Sequence, residues 1–209
     1  MGTIAYKCKR QPKYSGVFSF GNSKLPYTTA VFNMTSATDC VSRKLRLCQV
    51  SKFTKPGGKH RCYALRTERM FPKTCLVYKR KQAAFWDKTG CECFITTLIN
   101  TPYFKNITAL RFNESGDFRT QADVDKADNI ARCLPGIKVY CYTARRDLDY
   151  SAVKYLVVNG SGFSKPGTAG EFLAVKDLRR KPAGYGICCG DCTTCHRCID
   201  GKNTVVVLH

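Results

Sequence analysis

Between residues 107 and 143 the apolar positions change period twice. ITALRFN, residues 107–113, reads as a buried strand. Val124, Ala127, Ile130, Ala131 and Leu134 then recur at helical spacing; Thr120 and Asp123 have the spacing of a capping box, and Pro135-Gly136 stops the run. IKVYCYT, residues 137–143, returns to strand, and the whole has the length of a parallel strand-helix-strand crossover. A short helix around Leu148 to Val153, a third strand KYLVVN at 154–159 and a last one in TVVVLH at 204–209 continue the alternation.

Upstream, LPYTTAVFNMT (25–35) is rich in β-branched and aromatic residues and predicts a strand, followed by a polar, irregular loop to about residue 61. From Cys62 to Trp86 the composition is helical, with Pro72 dividing two helices, while CECFITTLIN is too short for its period to decide between helix and strand. These elements predict an α/β fold with mainly parallel strands and crossover helices. Parallel strands gather their loops at one edge, so the loop with Cys40 and Cys48, NESGDF, ARRD and GSGFSKPG are expected to converge.

A chain of 209 residues accommodates one domain. We divide it into a basic segment 1–24, an α/β core 25–180 and a Cys-rich tail 181–203 packed on that core. No apolar run spans a bilayer and the first residues lack the apolar core of a signal peptide, so we expect a protein of a reducing cytoplasm with no membrane partner. There, fourteen cysteines point to metal binding or catalysis rather than disulfides.

The net charge of +20 is unevenly placed: residues 1–81 carry eighteen Lys and Arg against only Asp39 and Glu68. A solvated surface is one explanation; contact with nucleic acid is the sharper one, through Arg43, Lys44, Arg46, Lys52, Lys55, Lys59, Lys79, Arg80 and Lys81. An acidic host protein is a further possible partner.

CCGDCTTCHRC, residues 188–198, carries the strongest chemistry. Cys189, Cys192, Cys195 and Cys198 repeat at steps of three, and Cys188 breaks the period as a bystander. Such spacing suits soft-ligand metals and favours an iron–sulfur cluster over zinc, with His196 as a weaker zinc candidate. Cys40, Cys48 and Cys62 follow the first strand and form a second ligand set at the same predicted edge. Most of Cys8, Cys75, Cys91, Cys93, Cys133 and Cys141 read as small core residues. Glu114 and Asp117, around Ser115-Gly116, are the catalytic candidates, placed to bind a cation, ribose or amino group, or simply to form a turn. Arg145 and Arg146 either bind an anion or pair with those carboxylates. GSGFSKPGTAG lacks the Lys-Ser/Thr ending of a phosphate-binding loop and reads as a flexible one.

CYA at 62–64, LRFNESGDF at 110–118 with VDKADNIA after it, VYCYTAR at 139–145 and CCGDCTTCHRC together resemble the phage-encoded gene product 88 family, over most of residues 25–200. The chain departs at Asn113-Glu114, where that family's pattern has a His. The resemblance implies a bacteriophage protein acting in the host bacterial cytoplasm. The layout also looks like the partial (β/α) barrels of radical S-adenosylmethionine enzymes, although their C-x3-C-x2-C spacing is absent. The expectation is therefore a partial TIM barrel-like single domain. It would hold one or two iron–sulfur clusters, most readily [4Fe-4S], in a structural or redox-sensing role in a nucleic-acid-contacting protein. A radical-type or nucleic-acid-modifying enzyme is the alternative, and a zinc-stabilised binding module the third.

Overall fold

The computed structural model describes residues 16–52 and 62–207, with the side chains of 51 and 52 left aside. Cys8, Lys55, Lys59 and the Lys52 side chain lie outside the described residues. Among the described residues eight strands form one sheet: β1 (Ser19–Phe20), β2 (Thr29–Phe32), β3 (Ala109–Phe112), β4 (Lys138–Thr143), β5 (Val157–Ser161), β6 (Gly170–Val175), β7 (Gly186–Ile187) and β8 (Thr204–Val207). Their spatial order is β1-β2-β3-β4-β5-β6-β8-β7. Only β1 runs antiparallel to its neighbour. Strand order follows chain order from β2 to β6, and among the described residues β1 and β7 end the row with no pairing that closes it into a barrel.

Among the described residues six α-helices accompany it: α1 (Val41–Lys44), α2 (Gln49–Lys52), α3 (Tyr63–Met70), α4 (Val77–Lys88), α5 (Cys91–Ile99) and α6 (Gln121–Arg132). Among the described residues no helix is long and apolar enough to cross a membrane. Pro72 divides α3 from α4 as expected, opening a π-helical turn over Pro72–Leu76. The capping box at Thr120 and Asp123 is formed, and Val124, Ala127, Ile130 and Ala131 are buried. CECFITTLIN resolves as the helix α5 because Phe94, Ile95 and Leu98 face one side, the spacing of a helical stripe.

Side chains alternate across the sheet, and the two faces differ in kind. Ala30, Phe32, Leu110, Phe112, Val139, Cys141 and Val158 pack with Phe85, Trp86, Phe94 and the buried side of α6 in one core. Phe94 sits at its centre, 4.8 Å from the Phe32 ring, 5.7 Å from Trp86 and 5.8 Å from Phe112. Each such ring contributes roughly 1.5–3 kcal/mol through burial. Val17 and Phe18 join this core, so the basic N-terminal segment is in part structural. On the opposite face Arg111, Tyr140, Tyr142, Ser161, Phe172, Ala174, Thr204 and Val206 line a cavity.

Two predicted elements differ. Residues 148–153 form turns rather than a helix, anchored by buried Tyr150, whose hydroxyl donates to the Arg145 carbonyl oxygen at 2.9 Å. Strand β6 was not anticipated, because only eight residues separate it from β5, fewer than a crossover usually needs. The register explains the economy: β6 begins opposite Asn159, so the chain turns back by only about two residues, roughly 7 Å.

Candidate functional site

The cavity, about 850 Å³, lies on the sheet face opposite the aromatic core and reaches the carboxyl ends of the strands. Cys40, Cys48, Cys62, Cys188, Cys189, Cys192, Cys195 and Cys198 all line it, so the two ligand sets expected from sequence are brought together across more than a hundred residues of chain. Cys40 and Cys62 immediately precede α1 and α3, and Cys48 precedes α2. The tail cysteines occupy the turns between β7 and β8.

The thiols fall into two groups. Cys40 feels the charges of Cys48 and Cys62, and burial together with Asp117 pushes its thiol up to about 12. Cys192 and Cys198 are likewise raised, first by burial, and each feels Cys188 and Cys195. Cys188 is half-buried, whereas Cys189 is exposed and directs its Sγ to the Asp191 carbonyl oxygen at 3.2 Å. His196 is exposed and does not line the cavity. Among the described residues no three Cys, His, Asp or Glu side chains stand close enough together to form a metal-holding group. Thiols suit a soft metal in chemistry, but holding one here would require them to draw together.

Hydrogen bonds fix the segments that carry the thiols. The Gln49 side chain, next to Cys48, donates to Ser161 Oγ at 2.9 Å and to the Phe172 carbonyl oxygen at 2.7 Å, and accepts from the Ala174 amide at 2.7 Å. It stitches α2 to the ends of β5 and β6. Arg146 donates from Nη2 to the Leu47 carbonyl oxygen at 2.8 Å. The tail is tied down by the Cys192 amide on the Lys24 carbonyl oxygen at 2.9 Å, and by Asn159 Nδ2 on the Cys198 carbonyl oxygen at 2.9 Å.

Both carboxylate candidates line the cavity, with different surroundings. Asp117 is buried and accepts from Ser42 Oγ at 2.6 Å, the Ala144 amide at 2.8 Å and the Phe118 amide at 2.9 Å. Burial raises its pKa, against the pull of these donors. It therefore acts as a clasp joining α1 to the ends of β3 and β4. Glu114 is half-buried, and its Oε1 accepts from Asn22 Nδ2 at 2.6 Å. Arg145 pairs with neither: it holds Asp147 at 2.8 Å and donates to the carbonyl oxygens of Phe118 and Arg119.

Glu68 on α3 was not singled out by sequence. It is buried and accepts from the amides of Ala37 and Thr38, at 2.7 and 2.8 Å, and from Ser115 Oγ at 3.0 Å. The one signal for it was its isolation in a strongly basic stretch.

The described basic residues differ in exposure and in partners. Lys44 and Arg46 are exposed, and Lys81 is half-buried. Lys79 is buried, which removes it from any solvent-facing surface. Arg80 pairs with Asp39 at 3.0 Å, and Arg43 turns inward to the carbonyl oxygens of Ala37 and Thr38. Cys141 is a core residue as expected, whereas Cys93 is disulfide-bonded, so not all the remaining cysteines are reduced packing residues.

Fold and site together define an α/β protein with a thiol-lined cavity at the carboxyl edge of its sheet. No protein-family model, curated protein or solved structure matches the chain.

Proposed function

We propose that the chain binds a cysteine-ligated metal centre in this cavity, and that the centre is an iron–sulfur cluster. The observation that carries the proposal is the convergence of eight thiols, from segments far apart in sequence, on the lining of one cavity. Cys40, Cys48 and Cys62 would hold it from one side, and Cys192, Cys195 and Cys198, with Cys188 or Cys189, from the other. The step-of-three spacing of the tail supports iron and sulfur over zinc. A bound cluster supplies one-electron chemistry or a structural tie; the chain's own residues position the thiol segments through Gln49, Asp117 and Glu68. Metal and acid-labile sulfide analysis of anaerobically purified protein, with an electron paramagnetic resonance spectrum after reduction, tests this. Iron and sulfide in equal amounts are expected, and a colourless protein holding zinc would replace the cluster by a zinc-stabilised module.

The four sequence elements that resemble the phage-encoded family all contribute to the same cavity: Cys62 to Ala64, Ser115 to Asp117, Tyr142 with Thr143, and the tail cysteines. Their convergence supports kinship with that family and, through it, a role in an infected bacterium. For the partner, the surplus of charge supports a polyanion such as nucleic acid, with exposed Lys44 and Arg46 as its described contacts.

A further inference from the structure

Two buried donors on the wall of the cavity lack a partner. Arg111 Nε and Asn113 Nδ2 make no hydrogen bond, and both residues line the cavity. Arg111 lies on β3, and Asn113 directly follows the strand's last residue, Phe112, so the two donors stand two residues apart at the strand end that borders the cavity. Asn113 is 5% exposed and takes a left-handed backbone conformation, φ 59°, which Asn tolerates better than most residues. Its Oδ1 accepts from the Met34 amide at 3.4 Å, which leaves Nδ2 to donate. A desolvated donor without an acceptor is costly, and a cavity that keeps two of them is built for something that brings acceptors.

The surroundings define the ligand. The Arg111 guanidinium lies 4.9 Å from the Tyr142 ring centre, and Tyr63 and Tyr140 complete the wall. The charge of Glu114 acts on the guanidinium, and that carboxylate is engaged by Asn22. A guanidinium fork beside an amide N–H matches the lone pairs of an oxyanion, and Phe172, Ala174 and Val206 offer apolar wall for the rest of a small molecule. We propose that the cavity binds a small molecule by a carboxylate or phosphate group, held between Arg111 and Asn113 beside the cysteine segments. The proposal rests on donors of the sheet and does not require a metal.

The test is thermal unfolding of the full chain, as isolated, in inorganic phosphate and in acetate at matched ionic strength against chloride, with metal content measured on the same samples. A saturable rise of roughly 5 °C in one of the two anions is expected, and which anion acts separates phosphate from carboxylate ligands. Arg111→Met should weaken that response at least about tenfold with its metal content unchanged. Asn113→Asp keeps the size, the backbone tolerance and the acceptor for Met34 but replaces the donor by a negative oxygen, so it should abolish the response even if Arg111→Met does not fold. No saturable shift in either anion, or an equal shift in the wild type and both variants, overturns the proposal. Loss of metal with the anion response retained would count against the metal centre alone.

Discussion

At the scale of single residues, the acids explain more than the bases. Residues 1–81 hold only Asp39 and Glu68 as acids, and both are committed to structure: Asp39 to Ser36 and Arg80, Glu68 to the chain leaving β2 and to the turn after β3. Glu68→Gln keeps the shape and removes the charge from a buried site with four donor contacts, so it should cost about 2–3 kcal/mol, read by urea unfolding. A cost under about 0.5 kcal/mol would show that the loop before Cys40 is held by other means. Asp117 shows how far sequence reasoning reaches at this scale. An acid beside Ser-Gly was recognisable as special, and Gly116 is indeed required: its φ is +75° and a Cβ there would lie 2.1 Å from Thr35 Oγ1. The sequence does not show where the carboxylate oxygens point, because Ser42 and Ala144 reach it from distant parts of the chain.

Among the elements, α6 was the most legible and also hides the most. Its capping box and apolar stripe are local patterns, and both formed. That Asp123 also accepts from Trp86 Nε1 at 2.7 Å was not legible, since the partner sits 37 residues away on α4. Burial works to raise the Asp123 carboxyl, but Arg119 and Trp86 outweigh it and hold it below the ordinary 3.8. A depressed folded-state pKa means that the stabilisation is fully present above the unfolded value near 3.8 and is lost as pH falls through the folded one. Asp123→Asn should therefore be about 2 kcal/mol less stable at pH 7, with the difference shrinking below about pH 4, measured as paired urea curves across that range. A difference independent of pH would mean that the amide loses packing rather than charge. Residues 148–153 and β6 were misjudged for a related reason: a buried Tyr150 and an offset strand register are tertiary facts that leave no period in the sequence.

For the whole molecule, charge and cysteine placement make separate predictions. If exposed bases such as Lys44 and Arg46 meet phosphates, affinity for single- or double-stranded nucleic acid should fall steeply with salt, and Lys44→Ala with Arg46→Ala should reduce the slope by about 1.5–2. A salt-independent affinity, measured by fluorescence anisotropy, excludes that contact. The cysteines tie the ends of the fold together. The tail already rests on the core through the Cys192 amide, the Cys198 carbonyl oxygen and the Cys188 amide on the Val205 carbonyl oxygen at 2.8 Å, and none of these bonds needs a metal. If the proposed metal centre joins tail to core, replacing Cys192 and Cys195 with Ser should therefore leave a folded protein that has lost the metal together with the stability it brings. Its melting temperature should equal that of metal-stripped wild type and lie roughly 5 °C or more below that of the loaded protein. Equality with the stripped protein places the whole effect in the metal linking tail to core. A variant that melts with the loaded wild type would mean that the tail thiols contribute nothing to the joined site and that Cys40, Cys48 and Cys62 stand alone.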